Sequence, residues 1–357
     1  MTMMRTVAVV AVVAGLGVNA AMADEDVAKL PEGLLVYGKV NVSLQHDLDY
    51  DFQKTHKAHR RDWNTQWHSN SSRLGAKGKT SLTDDLSVIY KAEYEINAND
   101  GFGKEKDFVS LREVYAGLSS ETYGTFEGGK LDSPLKMLQT RVDLFGDLVA
   151  ADAKYLMAGK NRDSFTYLYK TPMWSGFQLS AATIDFKRLD NDSSKPVDQR
   201  GSSLSLSWEG NDLLTDKDAL YVAVARDNGV RDLDNNRIAI QYKWNAFTVG
   251  ALAQEARRRA PGKTFVTGER EEDGYFMNVG WDITEKDTIK AQWGRSQQVE
   301  KDGSLLALGY EHRFTKNLKL YVYHGEIGGD EVVSSKADRT LQTTGIGVDY
   351  KFDLLKL

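Results

Sequence analysis

The sequence predicts an all-β, transmembrane barrel of sixteen antiparallel strands joined up and down in chain order. Three observations predict it: an export signal at the start, strict alternation of oily and wet residues behind it, and no later apolar run. Arg5 supplies the positive start of the signal, Val7 to Val18 its small-residue apolar stretch, and Ala21-Met22-Ala23 a cleavage site before Asp24. Residues 1–23 are thus expected to be a signal peptide and 24–357 one barrel domain. The 357-residue chain has a formal charge of -5, and Arg5 is the only charge in the signal, so the remainder is one unit more negative. An acidic balance argues against a nucleic-acid partner. There is no cysteine, so stability has to come from backbone hydrogen bonds rather than disulfides. A mean hydropathy of -0.47 resembles that of a water-soluble protein. A transmembrane barrel gives the same value, because half of each strand faces a wet lumen. Beyond residue 23 nothing approaches the ~20 apolar residues that a spanning helix needs.

The first strand sets the pattern. Val36, Gly38, Val40, Val42 and Leu44 share one face; Tyr37, Lys39, Asn41, Ser43 and Gln45 share the other. Side chains of a strand alternate between faces, so this is one oily and one wet surface. The split recurs in 86–97, with Leu86, Val88, Tyr90, Ala92, Tyr94 and Ile96 against Ser87, Lys91, Glu93, Glu95 and Asn97. It recurs in 163–170, with Phe165, Tyr167 and Tyr169 against Ser164, Thr166 and Lys170. In 237–244, Ile238, Ile240, Tyr242 and Trp244 oppose Arg237, Gln241 and Lys243.

Sixteen strands follow, at 34–46, 71–79, 86–97, 108–118, 123–131, 162–171, 176–186, 202–209, 219–227, 236–244, 246–256, 273–282, 287–298, 304–314, 317–327 and 341–352. Long connections (47–70, 98–107, 132–161, 187–201, 228–235, 257–272, 299–303, 328–340) alternate with short ones such as Thr80–Asp85, Thr171–Ser175, Asn245, Thr284–Lys286 and Thr315–Lys316. That rhythm fits a meander with turns at one rim and loops at the other. Pro134, Pro172, Pro196 and Pro261 fall between strands, where a missing N–H does no harm. Tyr167, Tyr169, Trp208, Tyr242, Trp244, Trp281, Trp293, Tyr310, Tyr350 and Phe352 fall on oily faces near strand ends, as membrane-interface girdles require. A soluble sandwich is the competing all-β architecture, but its interior would have to pair the charges on nearly every wet face.

Four segments carry a resemblance to a known family. They are Val36-Tyr37-Gly38-Lys39; Ser72-Arg73-Leu74-Gly75-Ala76-Lys77-Gly78; Arg112-Glu113-Val114-Tyr115-Ala116-Gly117-Leu118 with Gly124-Thr125-Phe126-Glu127-Gly128-Gly129-Lys130; and Arg162-Asp163-Ser164-Phe165-Thr166-Tyr167 with Pro172, Gly176 and Phe177. As a set they resemble the general diffusion porins, the trimeric sixteen-stranded channels of Gram-negative outer membranes. The resemblance implies an inward-folded third loop that narrows the pore. It also implies outer-membrane localisation, a homotrimer in contact with lipopolysaccharide and lipid, and passive diffusion of small hydrophilic solutes without cofactor or catalysis. Carried over, the wall cations of the constriction are Lys39, Arg73, Arg112 and Arg162. Loop three spans 132–161, the longest internal connection and the one with apolar anchors (Leu135–Leu138, Leu144–Phe145). Its acids are Asp143 and Asp147, with Asp132 and Asp152 as rivals. Four cations against two acids imply slight anion preference.

A substrate-selective channel, for sugars or for anions such as phosphate, is the nearest alternative. Sugar channels line the lumen with aromatics, and only Tyr37, Tyr221, Tyr321 and Tyr323 fall on wet faces here. An enzymatic barrel needs a base near the rim, but His312 and His324 fall on oily faces and no nucleophile motif accompanies them. A purely structural or adhesive barrel needs no acidic loop facing arginines. His56-x-x-His59, beside His46 and His68, has metal-ligand spacing but lies among Lys54, Lys57, Arg60 and Arg61, so cationic loop residues are the plainer meaning. Arg257-Arg258-Arg259 reads either as a phosphate contact at the loop rim or as a solvated charge run. Glu113 falls by parity on the outward face, and Asp353–Leu357 either extends the last strand or protrudes.

Overall fold

The computed structural model describes residues 30–53, 61–97, 108–189, 196–213, 215, 218–259, 271–298, 301–330 and 337–356. The expected signal peptide, His56 and His59 lie outside them. The elements are β1 (Gly33–Gln53), β2 (Arg61–Ser69), β3 (Arg73–Ser81), β4 (Leu86–Ile96), β5 (Val109–Ser120) and β6 (Gly124–Asp132), then a helix α1 (Pro134–Val142) and a 3-10 turn (Ala153–Tyr155). There follow β7 (Arg162–Lys170), β8 (Phe177–Leu189), β9 (Pro196–Asn211), β10 (Ala219–Val230), β11 (Leu233–Trp244) and β12 (Phe247–Arg258). The chain ends with β13 (Glu271–Asp282), β14 (Asp287–Ser296), β15 (Lys301–Arg313), β16 (Leu318–Asp330) and β17 (Ala337–Lys356).

Each strand pairs antiparallel with its sequence neighbours, and β1 closes the sheet on β17 from Leu35↔Lys356 to Gln53↔Ala337. Closure leaves no open edge, which is what a membrane-spanning sheet needs. β2 and β3 are two halves of one strand position: β2 pairs with the upper part of β1 (Val42↔Ser69) and β3 with its lower part (Lys39↔Arg73). The barrel is therefore sixteen-stranded although it has seventeen ladder segments. The expected long connection 47–70 is largely strand, because the β1–β2 hairpin continues past the barrel rim. The expected long connection 228–235 is a tight turn instead, with Arg231 and Asp232 both at positive φ (51° and 61°). Two such residues twist a hairpin in the sense that the strands require. β17 runs on to Lys356, with a bulge opposite Val36/Tyr37, so the tail is strand.

The period-two reading sets the faces. On β1, Asn41, Ser43 and Gln45 are buried in the lumen while Val40 and Leu44 are exposed on the outside. On β11, Arg237 and Ala239 face in and Ile238 and Ile240 face out. Outward Trp244, Phe247 and Trp281 stack at the short-turn rim, with ring centroids 6.3 and 5.9 Å apart. Two of the register irregularities turn side chains against the parity reading beside the site. Between Glu93↔Glu113 and Tyr94↔Leu111 the ladder skips Arg112, so Arg112 and Glu113 both turn inward. Glu113 thus faces the lumen, contrary to its parity. Between Leu131↔Asp163 and Gly129↔Thr166 a second irregularity buries Asp163 and leaves Ser164 outside.

Inside the barrel, α1 and the chain after it pack on the wall of β10–β16. Ser133 caps α1, its Oγ accepting from the Lys136 amide at 3.2 Å, and Pro134 opens the first turn without forfeiting a bond. Leu135, Leu138, Val142, Phe145, Leu148, Leu156 and Met157 form one buried cluster with wall residues that include Ala223, Ala239, Leu252, Phe276 and Ala307. The wall is built small to receive them. A Cβ on Gly325 would lie 2.4 Å from the Ala150 carbonyl, and one on Gly309 would lie 2.9 Å from the Phe145 ring.

Candidate pore constriction

The opposite half of the wall carries charge in place of small residues. β1 presents Lys39, β3 Arg73, and β4 Glu93 and Glu95, while the β5 bulge aims Arg112 and Glu113 at the same space. Glu93 is buried and joins three partners: the Tyr37 hydroxyl donates to it at 2.7 Å, Arg112 Nε at 2.9 Å and Arg73 Nη1 at 3.4 Å. Arg112 Nη1 reaches Glu95 at 2.8 Å, and Lys91 pairs with Glu113. Every expected wall cation, Lys39 and Arg162 included, has a carboxylate within 4.0 Å.

Loop three reaches this row with one acid. Asp147, at φ 73°, turns its carboxylate to Lys39 Nζ (3.4 Å) and Arg73 Nη2 (3.7 Å). Burial alone would raise the pKa of Asp147, but Lys39, Arg73, Arg112 and Lys154 outweigh it and hold this carboxyl below its ordinary value. Asp143 has another task. Its carboxylate accepts from the amides of Phe145 (2.9 Å) and Ala153 (2.8 Å), stitching the loop to itself. Burial first, and then the nearby Asp152, push its pKa up to about 7. Asp152 accepts from the amides of Asp147 (3.0 Å) and Lys154 (2.6 Å), so it also shapes the loop. Asp132 lies at the loop base, bonded by Arg162 Nε (2.6 Å) and Lys136 Nζ (2.7 Å). Arg162 therefore meets Asp132 and Glu113, not Asp147.

An alternating row extends the site along the wall beside the loop tip. Lys39 lies 3.9 Å from Asp349, Lys319 lies 3.8 Å from Asp349 and 3.0 Å from Glu311, and Lys290 lies 2.6 Å from Glu311. These late-strand charges carry no motif; inward parity on β14–β17 is the one signal that points to them. A cavity beside the loop tip measures about 900 Å³, and its lining holds twelve lysine or arginine side chains against eight carboxylates. Formal lining charge is thus +4, opposite in sign to the chain as a whole. Opposed fixed charges across a narrow column orient polar solutes and penalise apolar ones, which must surrender ordered water.

The inward aromatics lie elsewhere. Tyr221, Tyr321 and Tyr323 are buried under loop three, and Tyr37 is bonded to Glu93 with Lys77 over its ring at 4.9 Å. None offers an open stacking surface for a sugar. His312 and His324 also have structural partners, with Nδ1 atoms 2.7 Å from Asp287 and 2.8 Å from Thr344. His46 bonds Thr65 and His68 lies 3.5 Å from Asp47 on the other face, so these two do not converge on a metal. Arg258 and Arg259 pair with Glu272 and Asp234.

The sequence matches the model of the Gram-negative porin family over residues 6–331. The chain belongs to that family. It is similar to outer membrane porin protein OmpD of Citrobacter koseri, 31% identical over 89% of this chain and 97% of that protein. It also resembles outer membrane porin PhoE of Klebsiella oxytoca, 21% identical over 94% and 95%. Among solved structures, an anion-selective porin from Comamonas acidovorans superposes with a TM-score of 0.65 at 17% identity, covering 89% of this chain and 99% of that one. This porin is thus an outer-membrane β-barrel of the Gram-negative envelope, a water-filled channel for passive diffusion of small hydrophilic solutes and ions. Its family and fold are those of channels rather than of enzymes.

Proposed function

We propose that this porin is a homotrimeric general diffusion channel that favours anions. Its constriction is set by Lys39, Arg73, Arg112 and Arg162 on the wall and Asp147 on loop three, with Asp143 shaping the loop. The formal +4 charge of the lining of the cavity at the loop tip, in a chain of net charge -5, carries this reading. An entering ion responds to the nearest fixed charges, because charges farther away than about 8 Å are screened at physiological salt. The similar porin from Comamonas acidovorans is described as anion-selective, and a similar Vibrio cholerae OmpT is described in a trimer form. The apolar outer face and its aromatic rim suit outer-membrane lipid and the acyl chains of lipopolysaccharide. The substrate-selective alternative narrows to anions, since no aromatic slide for sugars is open.

Purified protein in a planar bilayer under a potassium chloride gradient tests the reading. The reversal potential is expected to take the chloride sign, with insertion steps in threes. A potassium-signed potential overturns the anion preference, and single steps together with a monomeric mass in mild detergent overturn the trimer. Block by phosphate at low concentration replaces general diffusion with a selective anion channel.

A further inference from the structure

We infer that Arg237 is a positioning residue that clamps both stems of loop three and so sets the bore. The inference rests on the reading of loop three as the constriction. Arg237 sits inward on β11 and is only 3% exposed. Its Nη1 donates to the Leu135 carbonyl at 2.7 Å, in the first turn of α1, and its Nη2 donates to the Ala158 carbonyl at 2.9 Å, where the loop returns. One planar group thus bonds the outgoing and the incoming chain, and the fixed geometry of the guanidinium fork sets the spacing between the two acceptors. The third bond, Nε to Gln254 Oε1 at 2.6 Å, enlists a side chain that itself donates to the Ala158 carbonyl at 3.0 Å. Gln298 completes the hub: its Oε1 accepts from the Ala158 amide at 3.1 Å and from Gln254 at 2.7 Å. Its Nε2 in turn donates to the carbonyls of Gln254 and Glu272, tying the hub to β12 and β13.

The charge economy supports a dedicated role. Among the described residues no carboxylate pairs with Arg237 within 4.0 Å; the acid that attracts it is the fully buried Asp227, set beside Ser203 and Asn235. A buried cation without a touching partner is unfavourable unless its donors are satisfied, and both loop stems supply the acceptors. Removing the fork takes a donor from the Leu135 carbonyl and leaves the Ala158 carbonyl to Gln254 alone, so no single group any longer joins the two stems. The apolar cluster still attracts the loop, but the spacing of its stems is no longer fixed.

The experiment compares Arg237→Lys, the double variant Arg237→Met with Asp227→Asn, and Asp147→Asn as refolded or native channels in planar bilayers. Heat-modifiable migration on gels checks the barrel. The double variant removes the clamp without leaving an orphan charge. It is expected to show a several-fold rise in open-channel current noise and in closures at moderate voltage, with Arg237→Lys between it and the native channel. Wild-type conductance, noise and closure in the double variant, while Asp147→Asn shifts the reversal potential, overturns the clamp and leaves the constriction standing. An Asp147→Asn channel with unchanged selectivity strikes the constriction itself, whatever Arg237 does. Failure of both Arg237 variants to form barrels assigns the residue to folding of the wall and also overturns the inference.

Discussion

The two halves of the barrel wall face one lumen with opposite chemistry. From β10 to β16 many inward positions facing loop three are small or apolar, as at Ala223, Ala239, Leu252, Gly309 and Gly325, with polar anchors such as Arg237, Gln254 and Lys290 among them, and the loop covers them as a second layer. From β1 to β5 they are Lys39, Arg73, Glu95, Arg112 and Glu113, which line the water space, over the buried Glu93. The difference shows that loop three is placed by where the wall permits close approach. Charge on the other half then lines the space that the loop leaves open. The apolar anchorage of the loop and the larger part of the charged row thus lie on different strands, with Lys290, Glu311 and Lys319 continuing the row onto the packed half.

The largest effect is expected from the packed half. Phe145→Ala removes a ring that is 1% exposed, at the centre of the loop-to-wall cluster. Large-to-small changes at such sites cost about 3–5 kcal/mol, and the loop rather than the hydrogen-bonded barrel should absorb the loss. Proteolytic cleavage within 143–157, with the barrel surviving, checks this; a loop as resistant as the native one would break the comparison. Asp147→Asn comes next, because it alters the charged half alone. One charge about 5 Å from a passing ion in water is worth about 0.8 kcal/mol, or roughly four-fold in occupancy at low salt. The reversal potential should move further toward chloride, and conductance noise should stay unchanged. The smallest effect joins the halves. The Asp143 carboxyl, raised to about 7, gains a proton as pH falls through neutrality. One negative charge then leaves the loop, so anion preference should rise from pH 8 to pH 6, by less than about two-fold given its depth and screening. Asp143→Asn should flatten that slope; an unchanged slope assigns it to another group.

The barrel itself was legible because period two and the alternation of long and short connections are local properties of the chain. Val40 out and Asn41 in follow from the pleat, and Ile238 and Arg237 obey the same rule. The apolar anchors of loop three were visible for a similar reason: a loop bathed in water has no use for Leu135, Leu138 or Phe145. The small inward residues of β10–β16 were also available as a signal, because parity placed Ala223, Ala239, Gly309 and Gly325 on wet faces where glycine and alanine serve no solute.

Other features required the folded molecule. The register slip that turns Glu113 inward is an extra residue in one strand opposite another, and no single strand reveals its partner's register. Asp143 and Asp147 share residue type and neighbourhood, yet one bonds its own loop and the other reaches Lys39, because backbone direction separates them at the turn. Arg237 looked like any inward strand cation until Leu135 and Ala158, far apart in the chain, met on its two nitrogens. By itself the sequence determined the sheet, its two faces and the identity of the loop that enters, since these depend on local periodicity and on burial of apolar groups. Which charges meet, and which are spent on holding the loop, was decided by tertiary structure, because pairing depends on distances between segments that no local pattern encodes.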